Sequence, residues 1–181
     1  MTVKETELND CFILEPKVFL DKRGCFIESY NKRIFDELTG QKIDFVQDNE
    51  SFSKRGVLRG LHFQKGKHAQ AKLVRVITGS VLDVVVDLRE ESNTFGKHFS
   101  IELSEDNKKQ LFIPRGFAHG FVVLSDAVLF TYKCDNFYNK ESESGIIYND
   151  KVLNIDWKLS ENEIVVSEKD LILPTFNDLF K

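Results

Sequence analysis

The stretch VLRGLHFQKGKHAQAKLVRV, Val57 to Val76, places Arg59, His62, Gln64 and Lys72 close together in the chain. Both ends alternate apolar and polar residues, as a strand with one buried face does. Such a run of polar side chains is either a solvated face or the inside of a cavity. In a cavity, the imidazole can move a proton near neutral pH and the guanidinium can grip phosphate oxygens. On a regular strand Arg59, Leu61 and Phe63 point one way, and Leu58, Gly60, His62 and Gln64 the other. Only a bulge or turn at Gly60 would bring Arg59 and His62 to the same ligand.

The histidines fall into a worn version of a known pattern. Cupins, which are jelly rolls with an internal cavity, carry G-x5-H-x-H, then a Glu, then x6-G, and later P-x-G-x2-H. Here Gly56 precedes His62 at the first His position, and Gln64 replaces the second His. Counted back from Gly79, Lys72 stands where the metal-binding Glu belongs, and IPRGFAH keeps Pro114, Gly116 and His119. An ammonium has no lone pair to donate and repels a divalent ion. The pattern therefore predicts a cupin pocket that has lost its metal site and kept polar groups inside.

The elements that must hold these groups are mostly strands. GCFIESY, KIDFVQDNESFS, VLRGLHFQ, AKLVRVI, SVLDVVVDLR, KHFSIEL, QLFIP, HGFVVL and AVLFTYKCDNFY are short and β-rich, with polar or Gly-containing turns between them. The best helix is NKRIFDELTG, capped by Asn31, with Ile34, Phe35 and Leu38 on one face and Gly40 as the stop. A helical turn is expected after Ser160. Many short strands and little helix predict a mainly β jelly-roll barrel with a few short helices. The βαβ pattern, G-x-G-x-x-G and the P-loop motif are missing.

The 181 residues suit one domain, taken as 1–181, with no linker, repeat or low-complexity tract. A net charge of −4 gives no basic field for nucleic acid, and no apolar run is long enough for a membrane helix. The polar N-terminus MTVKETELND does not read as a signal peptide. Cys11, Cys25 and Cys134 form an odd set without C-x-x-C spacing, which points to a reducing, cytoplasmic setting. Sixteen Phe against one Trp and one Met predict aromatic packing between sheets.

Taken together, ILEPKVFLDKRGCFIESYN, FVQDNESFSKRGVLRGLHFQ, AQAKLVRVITGSVLDVVVDLR, LFIPRGFAHGFVVLS, YKCDNFYNKESESGIIYND and SEKD resemble, in this order, the dTDP-4-dehydrorhamnose 3,5-epimerases. Tyr148 stands where Trp is more usual in that family, and Lys158 where Pro is common. The resemblance implies a metal-free, cofactor-free epimerase that inverts C3 and C5 of a dTDP-linked 4-keto-6-deoxyglucose. The C4 ketone acidifies both neighbouring C–H bonds by delocalising charge onto oxygen. The reaction then needs a base on one face, an acid on the other and a cation at the oxygen. By resemblance His62 is the base, oriented by Asp170; Tyr132 is the acid; Lys72 stabilises the enolate; and His119 lines the site. Tyr138 would stack on the pyrimidine, and Arg23 and Arg59 would hold the diphosphate. Glu28, Gln47, Asn49, Glu143 and Lys169 would contact nucleotide or sugar, some of them across a subunit boundary. The resemblance also implies a homodimer, with CFILEPKVF and RGCFIESY as the sheet edges a partner completes.

Competing readings are a 3-only or 5-only epimerase, a 3,4-ketoisomerase on a related nucleotide sugar, and a non-catalytic sugar-nucleotide-binding cupin. The last predicts loss of the acid–base pair, which His62 and Tyr132 preserve. A metal-dependent oxygenase is disfavoured by Gln64 and Lys72.

Overall fold

The computed structural model describes residues 1–181. Strands β1 (Thr2–Glu5), β2 (Phe12–Glu15), β3 (Val18–Asp21) and β4 (Gly24–Ile27) lead into helix α1 (Lys32–Thr39). The Asn31 side chain accepts the Ile34 N–H, and Gly40 ends the helix in the left-handed conformation, as the sequence predicts. Strands β5 (Gln47–Lys54), β6 (Val57–Gln64), β7 (Lys72–Thr78), β8 (Ser80–Asp87) and β9 (His98–Ser104) follow. Then come β10 (Gln110–Ile113), β11 (Phe117–Val123), β12 (Ala127–Cys134), β13 (Glu143–Gly145) and β14 (Val165–Val166). Helices α2 (Glu168–Leu171) and α3 (Phe176–Leu179) close the chain, after a 3₁₀ turn at Glu161–Glu163 capped by Ser160. No helix is long and apolar enough to cross a membrane.

The strands form two facing sheets. One runs β1-β2-β10-β7-β12-β5 and the other β13-β6-β11-β8-β9, with β14 added beside β6. This is the expected jelly roll. Its core lies between the sheets, where Val74, Val76, Val128 and Phe130 meet Val81, Val85, Phe117 and Phe121. The outer face of the second sheet is covered by the C-terminal segment, with Trp157 and Phe176 over Leu58, Leu61, Val84 and Val122. Strand β8 is thus buried on both faces, which explains the nearly unbroken apolar run of SVLDVVVD. Helix α1 covers the outside of the first sheet by seating Phe35 on Phe112, with ring centroids 5.1 Å apart.

The N-terminal strands correct one expectation. Within CFILEPKVF, β2 is not a sheet edge, because it lies between β1 and β10; the last two residues, Val18 and Phe19, begin β3. RGCFIESY contributes β4, which pairs only with β3 in a separate two-stranded hairpin. The edges of the first sheet are β1 and β5.

Candidate active site

Between the sheets lies a cavity of about 770 Å³. Side-chain parity decides what faces it. On β7, Lys72 is in phase with core residues Val74 and Val76; on β12, Tyr132 is in phase with Val128 and Phe130. On β11, His119 is in phase with Phe117 and Phe121, and on β5 Gln47, Asn49 and Ser51 all face inward.

Strand β6 needs the break foreseen at Gly60. Its outer residues are Leu58, then Leu61 and Phe63, while Arg59 and His62 both line the cavity. The alternation therefore slips by one residue between them. The β6–β11 register shifts at the same place, between the His119–His62 and Phe121–Arg59 pairs. Gly60 has φ +121°, and a Cβ there would sit 2.6 Å from the Gly120 Cα, so the close approach requires glycine.

Asp170, from the C-terminal segment, secures the break and itself lines the cavity. Ser167 caps the short helix α2 and delivers the Asp170 carboxylate, 5% exposed, under β6. Its Oδ1 lies 2.7 Å from His62 Nε2, and its Oδ2 accepts the Gly60 N–H at 3.4 Å. Burial alone would raise the Asp170 carboxyl; the His62 contact and the Gly60 and Ser167 hydrogen bonds overcome this and hold it below the usual range. With Nε2–H donated to the carboxylate, Nδ1 keeps the lone pair that can take a proton.

The opposite wall carries Tyr132 and Lys72, whereas His119 and Arg59 share the sheet of His62. Tyr132 is held above the ordinary phenol range, chiefly by burial, and so stays a proton donor. Lys72, with its ammonium 5.9 Å from the Tyr132 ring centroid, is pushed down by burial. His119 is also pushed down by burial, and its Nε2 lies 2.9 Å from Asp83 Oδ2. Arg59 donates from Nε to Ser53 Oγ at 3.0 Å.

At the mouth, Tyr138 is 53% exposed, and its hydroxyl donates to Glu143 at 2.8 Å. Lys169 pairs with the same carboxylate, and this contact is the first cause of the lowered Glu143 pKa. Gln47 joins the ring, accepting the Tyr138 N–H and donating to Asn49. Gln64, in the second-His position, accepts the Asn139 N–H at 3.2 Å.

Eleven of the thirteen residues singled out in the sequence thus line one cavity; Arg23 and Glu28 do not. Both are exposed: Arg23 sits in the β3–β4 turn, bound to Asp21 at 2.6 Å, and Glu28 just follows β4. The hairpin carries them away from the cavity of their own chain. Sequence reasoning missed Asp83. Its signal was present, a lone carboxylate among valines and leucine in VLDVVV.

A family model described as dTDP-4-dehydrorhamnose 3,5-epimerase matches residues 5–178. A Shigella flexneri protein, dTDP-4-dehydrorhamnose 3,5-epimerase, is 53% identical over 171 residues, covering 94% of this chain and 93% of its own length. The crystal structure of dTDP-4-dehydrorhamnose 3,5-epimerase from Elizabethkingia anophelis is 60% identical, with a TM-score of 0.95 over 98% of this chain and 97% of that one. A Legionella pneumophila dTDP-6-deoxy-D-glucose-3,5-epimerase, solved in complex with dTDP-4-keto-L-rhamnose, is 46% identical, with a TM-score of 0.93 over 97% of this chain and 93% of that one.

Proposed function

The chain belongs to the dTDP-4-dehydrorhamnose 3,5-epimerase family, and from that premise we propose how its cavity inverts C3 and C5 of dTDP-4-dehydro-6-deoxy-D-glucose. The observation that carries the reading is the facing pair of proton carriers. His62, backed by Asp170, belongs to one sheet and Tyr132 to the other, and both line one cavity.

His62 Nδ1 removes the proton from a carbon next to the C4 ketone, and the electron pair moves onto O4 as an enolate. Lys72 meets that oxygen with its ammonium; by analogy with a lost oxyanion-hole donor, this contact is worth about 3 kcal/mol. Tyr132 then protonates the carbon from the other face. Imidazolium and phenolate return to their starting states by exchange with solvent. The cycle runs once at C3 and once at C5. No step needs a redox cofactor, because no electrons leave the sugar.

Arg59 binds the diphosphate and Tyr138 stacks on the thymine, with Gln47, Asn49, Glu143 and Lys169 around nucleotide and sugar. Arg23 and Glu28 reach a site only in a homodimer, where the hairpin of one chain leans over the cavity of the other. The hairpin supports this: Leu20 is 79% exposed and Phe26 67%, an apolar surface that nothing in the chain covers.

Proton NMR of the keto sugar in D2O tests the function. Deuterium entering at both C3 and C5, with an L-configured product, is the expected result. Entry at one carbon alone would reduce the activity to a monoepimerase.

A further inference from the structure

Strand β8 carries a carboxylate where valines and leucine surround it. Asp83 is in phase with Val81 and Val85, points between the sheets and is fully buried. It does not line the cavity, whereas Lys72 and His119 do. Its Oδ2 engages His119 Nε2 at 2.9 Å, but its Oδ1 is buried without a hydrogen-bond partner. A buried carboxylate oxygen left bare is costly unless a charge compensates it. The carboxylates of the site are engaged with other groups, Asp170 with His62, Asp83 with His119 and Glu143 with Lys169, and Lys72 has no direct partner among them.

We infer that Asp83, beneath the cavity wall, is a positioning residue for the epimerisation: its carboxylate keeps Lys72 in the ammonium form that meets the enolate and fixes the orientation of His119 beside it. This rests on the reading of Lys72 as the cation at O4.

The neighbours of Lys72 single out Asp83. Burial drives the ammonium toward the neutral amine; Cys134 on β12 and Asp83 on β8 act against it. Cys134 acts only as a thiolate, and burial pushes its thiol up to about 11, so it is uncharged at neutral pH. Tyr132 on β12 stays a phenol and His119 on β11 is driven toward the neutral imidazole, both by burial. Arg59 and His62 on β6 can add only positive charge. Burial pushes the Asp83 carboxyl up as well, while His119 and Lys72 act to keep it ionised; as the carboxylate, Asp83 is the negative charge that opposes deprotonation of Lys72. It sits behind the wall, so its carboxylate supports the lysine without occupying the place of the enolate.

The test is Asp83→Asn, which keeps the volume and an oxygen to accept from His119 but removes the charge. The Lys72 Cε resonance of ¹³C-lysine-labelled protein, assigned with Lys72→Met, is followed against pH alongside deuterium exchange of the keto sugar. In Asp83→Asn the lysine should titrate at least about one pH unit lower. The alkaline limb of exchange should move by the same interval, a loss that approaches roughly tenfold above the wild-type midpoint and that lowering the pH restores. An unchanged Lys72 titration, or a loss equal at every pH, overturns the inference. If Lys72→Met exchanges at the wild-type rate, the reading of Lys72 itself falls and Asp83 loses its role with it. Should Asp83→Asn not fold, ¹³C-aspartate NMR of the wild-type protein decides: the Asp83 carboxyl must be ionised at pH 7, and a protonated one refutes the proposal.

Discussion

His62 Nε2 and Asp170 Oδ1 lie 2.7 Å apart although 108 residues separate them in the chain. The contact exists because the last short helices fold back onto β6 at the point where its alternation slips. The same carboxylate takes the Gly60 N–H, so one group both orients the base and ties down the irregular backbone that turns it inward. Fold and chemistry share this aspartate.

Asp170→Asn should lower deuterium exchange at C3 and C5 together by about 10²–10⁴-fold, because the imidazole loses its enforced tautomer. The carboxylate should also leave a mark on stability. Its folded pKa is depressed, so it stabilises the fold above the unfolded value near 3.8, and that contribution disappears as pH falls through the folded value. Thermal melts from pH 6 downward should show the wild type losing stability below about pH 4, and Asp170→Asn a smaller loss over the same range. Identical slopes would remove the ion pair from the account.

Tyr132→Phe should separate exchange from inversion. His62 still forms the enolate, but the proton can return only from the face it left. Label should therefore wash in at C3 and C5 faster than inverted product accumulates, whereas His62→Ala loses both. The alkaline limb of exchange should be unchanged in Tyr132→Phe, since exchange needs the Lys72 ammonium, which burial drives toward the neutral amine, and does not need the phenol. Exchange as dead in Tyr132→Phe as in His62→Ala would break the assignment of acid and base.

The jelly roll was legible because its strands are short, β-rich runs and the turns between them carry glycine or polar residues. Helix α1 was legible from its cap Asn31, its stop Gly40 and the apolar face of Ile34, Phe35 and Leu38 between them. The site was legible only in outline. The slip at Gly60 comes from its contact with Gly120, a third of the chain away, and no local pattern fixes it. Asp170 sits on a four-residue helix whose periodicity is too short to read. Asp83 was visible as an anomaly in β8, but its partner His119 joins it only through the β8–β11 pairing, two residues out of register. Arg23 and Glu28 were picked by resemblance, and sequence order says nothing about which cavity a hairpin serves.

Activity should survive exhaustive EDTA treatment and gain nothing from added Fe(II) or Zn(II). The reason is the donor set. Of the cupin ligand positions, His62 is engaged with Asp170 and His119 with Asp83, Gln64 accepts a backbone N–H, and Lys72 brings a positive charge. Loss of exchange with EDTA, restored by one of these ions, would overturn the metal-free reading.

The hairpin makes the last prediction a matter of counting sites. Sedimentation at micromolar concentration should show a dimer, and Leu20→Glu with Phe26→Glu should shift it toward monomer by placing charge on the apolar face. Arg23→Ala and His62→Ala should each be impaired as homodimers. If Arg23 serves the partner's cavity, a mixed dimer holds one site with both defects and one with neither. Unfolding the two variants together and refolding them should then recover activity toward one intact site per mixed dimer. If Arg23 serves its own cavity, every site in the mixture carries one defect and nothing is recovered. Rescue on mixing thus reports directly on which chain completes the site, and its absence in a mixture shown to contain heterodimers would return the arginine to the surface.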